Sequence, residues 1–175
     1  MNLKYLKITA IIIFTFSITR LIPHPPNFTN IIAISFYFTY IFGRKSIPII
    51  FLSFVISDLI FFGSHQFIFF TWLSILIISL VGILFKKYNF IKIYGSLVSC
   101  LIFFLITNLG VWYASGMYDF SINGILACYI AALPFFGQTL VSTLLWSGII
   151  ETLVFYLNKF KFNVYKDLSL DKIKY

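Results

Sequence analysis

The residues able to do chemistry in this chain are few and far apart. Its two histidines are His24 and His65, and in the apolar body of the chain Arg20, Asp58, Asp119 and Glu151 stand out as separate charges. There is no C-x-x-C pair, no H-E-x-x-H and no cluster of carboxylates, so no metal site is expected. A G-x-S-x-G elbow and a Walker loop are also missing, so the chain is not expected to power transport by itself. Acids, bases and nucleophiles this scattered argue against an enzyme, and no cofactor is expected. What remains is recognition: amides, imidazoles and flat rings that could hold a small molecule.

Such groups are densest from Thr107 to Gln138, TNLGVWYASGMYDFSINGILACYIAALPFFGQ. Asn108 can donate and accept at once, and so could read the edge of an amide or a heteroaromatic ring. Trp112, Tyr113 and Tyr129 offer apolar faces with polar tips, suited to stacking. Gln138 adds a second amide. A stretch from Arg20 to Asn30, RLIPHPPNFTN, places three prolines in four residues. It forms a stiff wall carrying His24 and Asn27, which costs little entropy to order around a ligand. The expected substrate-binding set is therefore Arg20, His24, Asn27, Asp58, His65, Asn108, Trp112, Tyr113, Tyr129 and Gln138. With one cation among them, they favour a small, ring-containing, mostly uncharged ligand.

Bland roles compete for several of these residues. Arg20 and Asp58 could form a structural ion pair, Asn108 could cross-link helices, and the aromatic residues could belong to an interfacial belt. Glu151 is expected to pair with a nearby lysine. Cys100 and Cys128 fall at different depths, too far apart for a disulfide, and suit small packing positions.

The elements that must position these groups are membrane helices. The chain is 61% hydrophobic and only 10% charged, well above the apolar share of a soluble domain. A crossing takes roughly 20 helical residues, so one integral membrane domain of about six spans is expected. They fall at about 5–22, 28–42, 47–62, 67–85, 93–113 and 137–157, with a basic tail at 158–175. The second is short unless it borrows Asn27 to Asn30. Residues 122–133 are too few to cross, and read as a re-entrant or surface helix in the fifth connection.

Charge placement orients this all-α polytopic bundle. With the N-terminus inside, twelve of the thirteen basic residues fall on the cytoplasmic side and only Arg20 falls outside. The positive-inside rule then puts both termini in the cytoplasm. The net charge of +8 anchors the inner face to anionic lipid, and no nucleic-acid partner is expected. This orientation gathers Arg20 to Asn30, Gly63 to Gln66 and Ala114 to Gln138 on the outer face.

Three stretches carry a resemblance: RLIPHPPNFT from Arg20, TNLGVW from Thr107 to Trp112, and CYIAALPFF from Cys128 to Phe136. They resemble an uncharacterised bacterial family of six-helix proteins assigned to transport, which in turn looks like the substrate-binding S subunits of energy-coupling-factor vitamin transporters. The resemblance implies a multi-pass protein of the bacterial cytoplasmic membrane that captures a vitamin or its precursor. It further implies a partner, a coupling transmembrane subunit with two ATPases. The first helix departs from the family pattern: Ala10-Ile-Ile-Ile-Phe14 stands where S subunits dock through small residues four apart. A second reading is a non-transporting membrane scaffold or cell-envelope assembly protein whose core polar groups are structural.

Overall fold

A computed structural model describes residues 14–15, 18–19, 21–88 and 91–159. Among them the secondary structure is helical: α1 (Ile31–Phe42), a short 3-10 turn (Arg44–Ser46), α2 (Ile47–Phe62), α3 (Ile68–Tyr88), α4 (Lys92–Ala114) and α5 (Ile122–Lys159). Four stretches, covering α2 to α5, are long and apolar enough to cross a membrane. Most of the expected first span and most of the basic tail lie outside the described residues.

The hub of the fold is α1, rather than the stretch richest in candidate site residues. Nine of its twelve residues are buried, and it packs on α3, α4 and α5. A helix apolar all round has no face for water, so it belongs in a core. Phe36 and Ala33 are fully buried there, beside Ile50 and Phe54 of α2 and Ile75 and Ile78 of α3. The helix does not borrow Asn27 to Asn30. Asn27 takes φ 62 in a turn, a conformation Asn tolerates better than most residues, and Asn30 sits at the N-cap.

Asn30 is fully buried, although the sequence places it in an outer loop. Its Nδ2 donates to Thr15 O at 3.0 Å, and Thr19 Oγ1 donates to its Oδ1 at 3.1 Å. One residue earlier, Thr29 O accepts from Ser142 Oγ of α5 at 2.6 Å. The start of α1 is thereby tied to the preceding segment and to the last helix.

Small residues let the helices approach closely, as is common where lipid removes the hydrophobic drive for association. At Gly82 of α3 an added Cβ would sit 2.5 Å from Phe36 O and collide with Thr39 Oγ1. Backbone on the far side cannot give way as a flexible side chain would. Gly82→Ala is therefore expected to cost about 1–3 kcal/mol, the range for overpacking, read as a lower unfolding temperature in detergent. Gly137→Ala, where the methyl would meet nothing within 4 Å, is the control. Equal behaviour of the two variants would show that the close α1 to α3 contact does not form.

Helix limits follow the sequence closely around α2: Gly43, at φ 84, ends α1, and Gly63, at φ 63, ends α2. The large departure is at the C-terminal end. The expected re-entrant helix at 122–133 and the expected last span at 137–157 form one helix of 38 residues with Pro134 inside it. Proline removes a single backbone hydrogen bond, and membrane helices tolerate that loss where neighbours compensate. Its start is set by Ser121, whose Oγ accepts from Gly124 N at 3.0 Å in the manner of an N-cap. At 1.5 Å per residue the helix is about 57 Å long, well beyond a hydrocarbon core of about 30 Å.

Candidate functional site

The predicted site residues do not meet in one place. They divide into a helical hairpin holding Asp58 and His65, a seam between α4 and α5, and the proline-rich segment before α1. Arg20 lies outside the described residues, so its expected pairing with Asp58 does too.

The hairpin is the most unusual environment. Asp58, one turn from the end of α2, is only 3% exposed. Its Oδ2 accepts from Trp72 Nε1 of α3 at 3.0 Å, and His65 Nε2 lies 3.6 Å from the same oxygen, longer than a hydrogen bond. Burying a carboxylate is expensive unless it is paired and hydrogen-bonded. The imidazole Nδ1 of His65 is buried and has no hydrogen-bond partner, while its ring packs against Phe67 with centroids 4.8 Å apart. Trp72 is absent from the sequence-derived set, yet its position was available. Asp58 and Trp72 are equidistant from His65, the middle of a tight antiparallel turn, and an indole N-H in an apolar span needs an acceptor.

Along the α4 to α5 seam, polar atoms are largely spent on the protein itself. Asn108 Nδ2 donates to Phe104 O of its own helix at 2.7 Å, so its amide donor does not cross-link neighbours. Cys128 Sγ donates to Asn108 O at 3.5 Å, and Tyr129 OH donates to Leu105 O at 2.7 Å. Trp112 Nε1 donates to Asp119 O at 3.0 Å and meets the Phe120 ring edge-on at 5.4 Å. Tyr113 is exposed and touches the rings of Phe70 and Phe120. Cys128 is a buried residue of α5 rather than a loop residue, and both cysteines are free. Gln138 is partly buried, with Oε1 shielded and lacking a hydrogen-bond partner. In the proline-rich segment, His24 Nδ1 is 2.8 Å from Pro25 O and Asn27 is exposed.

A second polar group lies at the opposite, basic end of the bundle. Lys92 Nζ donates to Glu151 Oε2 at 2.6 Å, the lysine pairing expected of Glu151. Ser147 Oγ donates to Ser96 Oγ at 3.0 Å. These bonds tie α4 to α5, with Tyr37 of α1 alongside. Beside it is a groove of about 340 Å³ lined by Tyr37, Ile91, Lys92, Ile93, Leu144, Ser147, Gly148 and Glu151. None of the sequence-derived site residues lines it. Among the described residues no group of three His, Cys, Asp or Glu side chains could hold a metal ion.

The sequence profile of a family of unknown function, DUF6580, matches residues 2–165. The chain belongs to that family. No curated protein and no solved structure matches this DUF6580 chain. Among the buried polar atoms of this DUF6580 protein that lack a hydrogen-bond partner are His65 Nδ1 in the α2 to α3 hairpin, Gln138 Oε1 of α5 and Glu151 Oε1 beside the basic-end groove.

Proposed function

We propose that this DUF6580 protein is a membrane transport component that captures a small, ring-containing, mostly uncharged nutrient, such as a vitamin or precursor, from the outer side of a bacterial cytoplasmic membrane. The observation that carries the reading is the Asp58, Trp72 and His65 cluster. Ionisable residues inside a membrane helix are costly and are generally retained for binding or translocation, and here the His65 side chain is 24% exposed while its buried Nδ1 has no hydrogen-bond partner in the protein. In this reading Trp72 and His65 supply ring faces and Asp58 fixes their orientation. The α4 to α5 seam, with Trp112 and Tyr113 at its rim, flanks the entrance. Transport is driven by a separate coupling subunit with ATPases, as the S-subunit resemblance implies. The test is thermal stabilisation of purified protein across a panel of vitamins and precursors, since a ligand binding only the folded state raises its melting temperature. A compound that stabilises the wild type and fails with His65→Ala supports the reading; no response to any compound removes it.

The orientation belongs to the same proposal: six spans with both termini cytoplasmic. In a background lacking both native cysteines, Cys placed at the exposed Ser64 or Asp119 is expected to react with an impermeant thiol reagent from outside. Cys at the exposed Arg44 or Lys87 should react only after the membrane is opened. Outside labelling at Arg44 would invert the topology.

A scaffold role is the second reading, and a specific observation favours it. Asn108, Trp112, Cys128 and Tyr129 all give hydrogens to backbone carbonyls of the protein itself. The Cys128 and Tyr129 bonds cross from α5 to α4 and hold the two helices in register without any ligand.

A further inference from the structure

We propose that the groove at the basic end of the bundle is a headgroup site for a zwitterionic aminophospholipid, of which phosphatidylethanolamine is the probe. The placement comes first. Arg44 and Lys45 in the turn before α2, Lys86 and Lys87 at the end of α3, and Lys92 at the start of α4 mark one end of the bundle. Clusters of this kind lie at the level of lipid phosphates. The groove opens at that level, between the first turn of α4 and the C-terminal half of α5.

Its lining has two characters. Ile91 and Ile93 are exposed, as are Leu144 and Gly148 across from them, giving an apolar trough that an acyl chain can follow into the bilayer. At its head stand Lys92 and Glu151, their side chains 26% and 37% exposed. This pair is neutral as a unit. A lone anion would have to take Lys92 from Glu151, and a lone cation would have to do the reverse. A phosphoethanolamine head offers both signs at once, its phosphate to Lys92 and its ammonium to Glu151. The carboxylate is within reach of the second contact, because the Glu151 side chain lines the groove and is 37% exposed, with Lys92 holding its Oε2. The start of α4 is prepared for the first. Ile91 at its N-cap provides no side-chain bond to the opening amides, and uncapped helix N-termini attract phosphate. A volume of about 340 Å³ suits a headgroup with the beginning of its chains rather than a whole lipid.

The test uses purified, delipidated full-length protein. Phosphatidylethanolamine is expected to raise the melting temperature by several degrees and to persist in native mass spectra. Phosphatidylglycerol and phosphatidylcholine, whose heads lack the primary ammonium, should do so at least tenfold less effectively by concentration. Free phosphoethanolamine, lacking chains, should produce no shift. Glu151→Gln should erase the preference for the ethanolamine lipid. Because that substitution also loosens the ion pair, Gly148→Leu provides a second variant. A Cβ there meets nothing within 4 Å, so folding is preserved while the trough is filled, and the lipid response should be lost. Equal or stronger stabilisation by phosphatidylglycerol, a full response to free phosphoethanolamine, or an undiminished response of Gly148→Leu would each overturn the proposal.

Discussion

Asp58→Ala is expected to destabilise the protein by about 2–4 kcal/mol and to abolish any solute response. Hydrogen bonds to a charged group contribute about 1.5–3 kcal/mol, and removing one partner leaves the other desolvated. Here the loss strands the Trp72 indole N-H and removes the carboxylate facing His65. Asp58→Asn keeps the shape and one acceptor, and should cost less than half as much. The decisive measurement is a double-mutant cycle with Trp72→Phe, which deletes the N-H and retains a large ring. If the bond at 3.0 Å stabilises the hairpin, the double mutant is less destabilised than the sum of the singles by about 1 kcal/mol or more. Simple additivity would show that the two side chains act independently.

Asn30→Ala is expected to have a comparable effect, about 2–4 kcal/mol, by a different route. The amide makes two buried hydrogen bonds, each with a net value near 1 kcal/mol, and its removal also desolvates what it leaves behind. Truncating a fully buried side chain adds a cavity contribution. Asn30→Asp restores the acceptor for Thr19 but withdraws the donor to Thr15 O, so it should fall between Ala and wild type. Chemical denaturation in mixed micelles would measure both. A wild-type value for Asn30→Ala would mean that the segment before α1 is held by something other than this amide.

Much of the helix pattern was legible because its punctuation is chemical. Gly43 and Gly63 occupy positive φ, and Ile47–Phe62 runs between them as its apolar residues suggest. At the last helix the expected separation of 122–133 from 137–157 rested on length, and it fails because the two runs join through Pro134 into one helix. In lipid the continuing helix still satisfies every other backbone group, and no aqueous alternative competes with it. The role of α1 as hub was hidden because burial depends on what surrounds a helix, and a twelve-residue apolar run looks the same beside lipid or protein.

For the site, the sequence marks Asp58 and His65 but not Trp72, whose role depends on the hairpin bringing its indole N-H to Asp58. Pairing of Glu151 with a lysine was foreseeable from the topology. The involvement of Tyr37 was not, since it depends on how α1 is rotated about its axis. Asn108, Trp112 and Tyr129 drew attention as recognition groups, yet their donors are bound to nearby carbonyls. Sequence alone cannot distinguish a polar group kept for a ligand from one kept for a neighbour.

The proline within α5 turns a long rod into a lever. Residues 122–133 form an arm of about 18 Å on one side of Pro134, and Ile122, Leu126, Ile130 and Leu133 on that arm are all exposed. Where proline has removed a backbone bond, bending is the cheapest deformation the helix has, and proline kinks commonly exceed 20°. A change of that size at Pro134 would carry the tip of the arm about 6 Å sideways, by the sine of the angle over the arm's length. Movement would follow Ser121 and the 115–121 loop to α4, because Trp112 holds Asp119 O. Cys128 and Tyr129 tie this arm to Asn108 O and Leu105 O of α4, so the swing must carry α4 along or break those bonds, while the far arm, held through Ser142, Ser147 and Glu151, stays behind as the fulcrum.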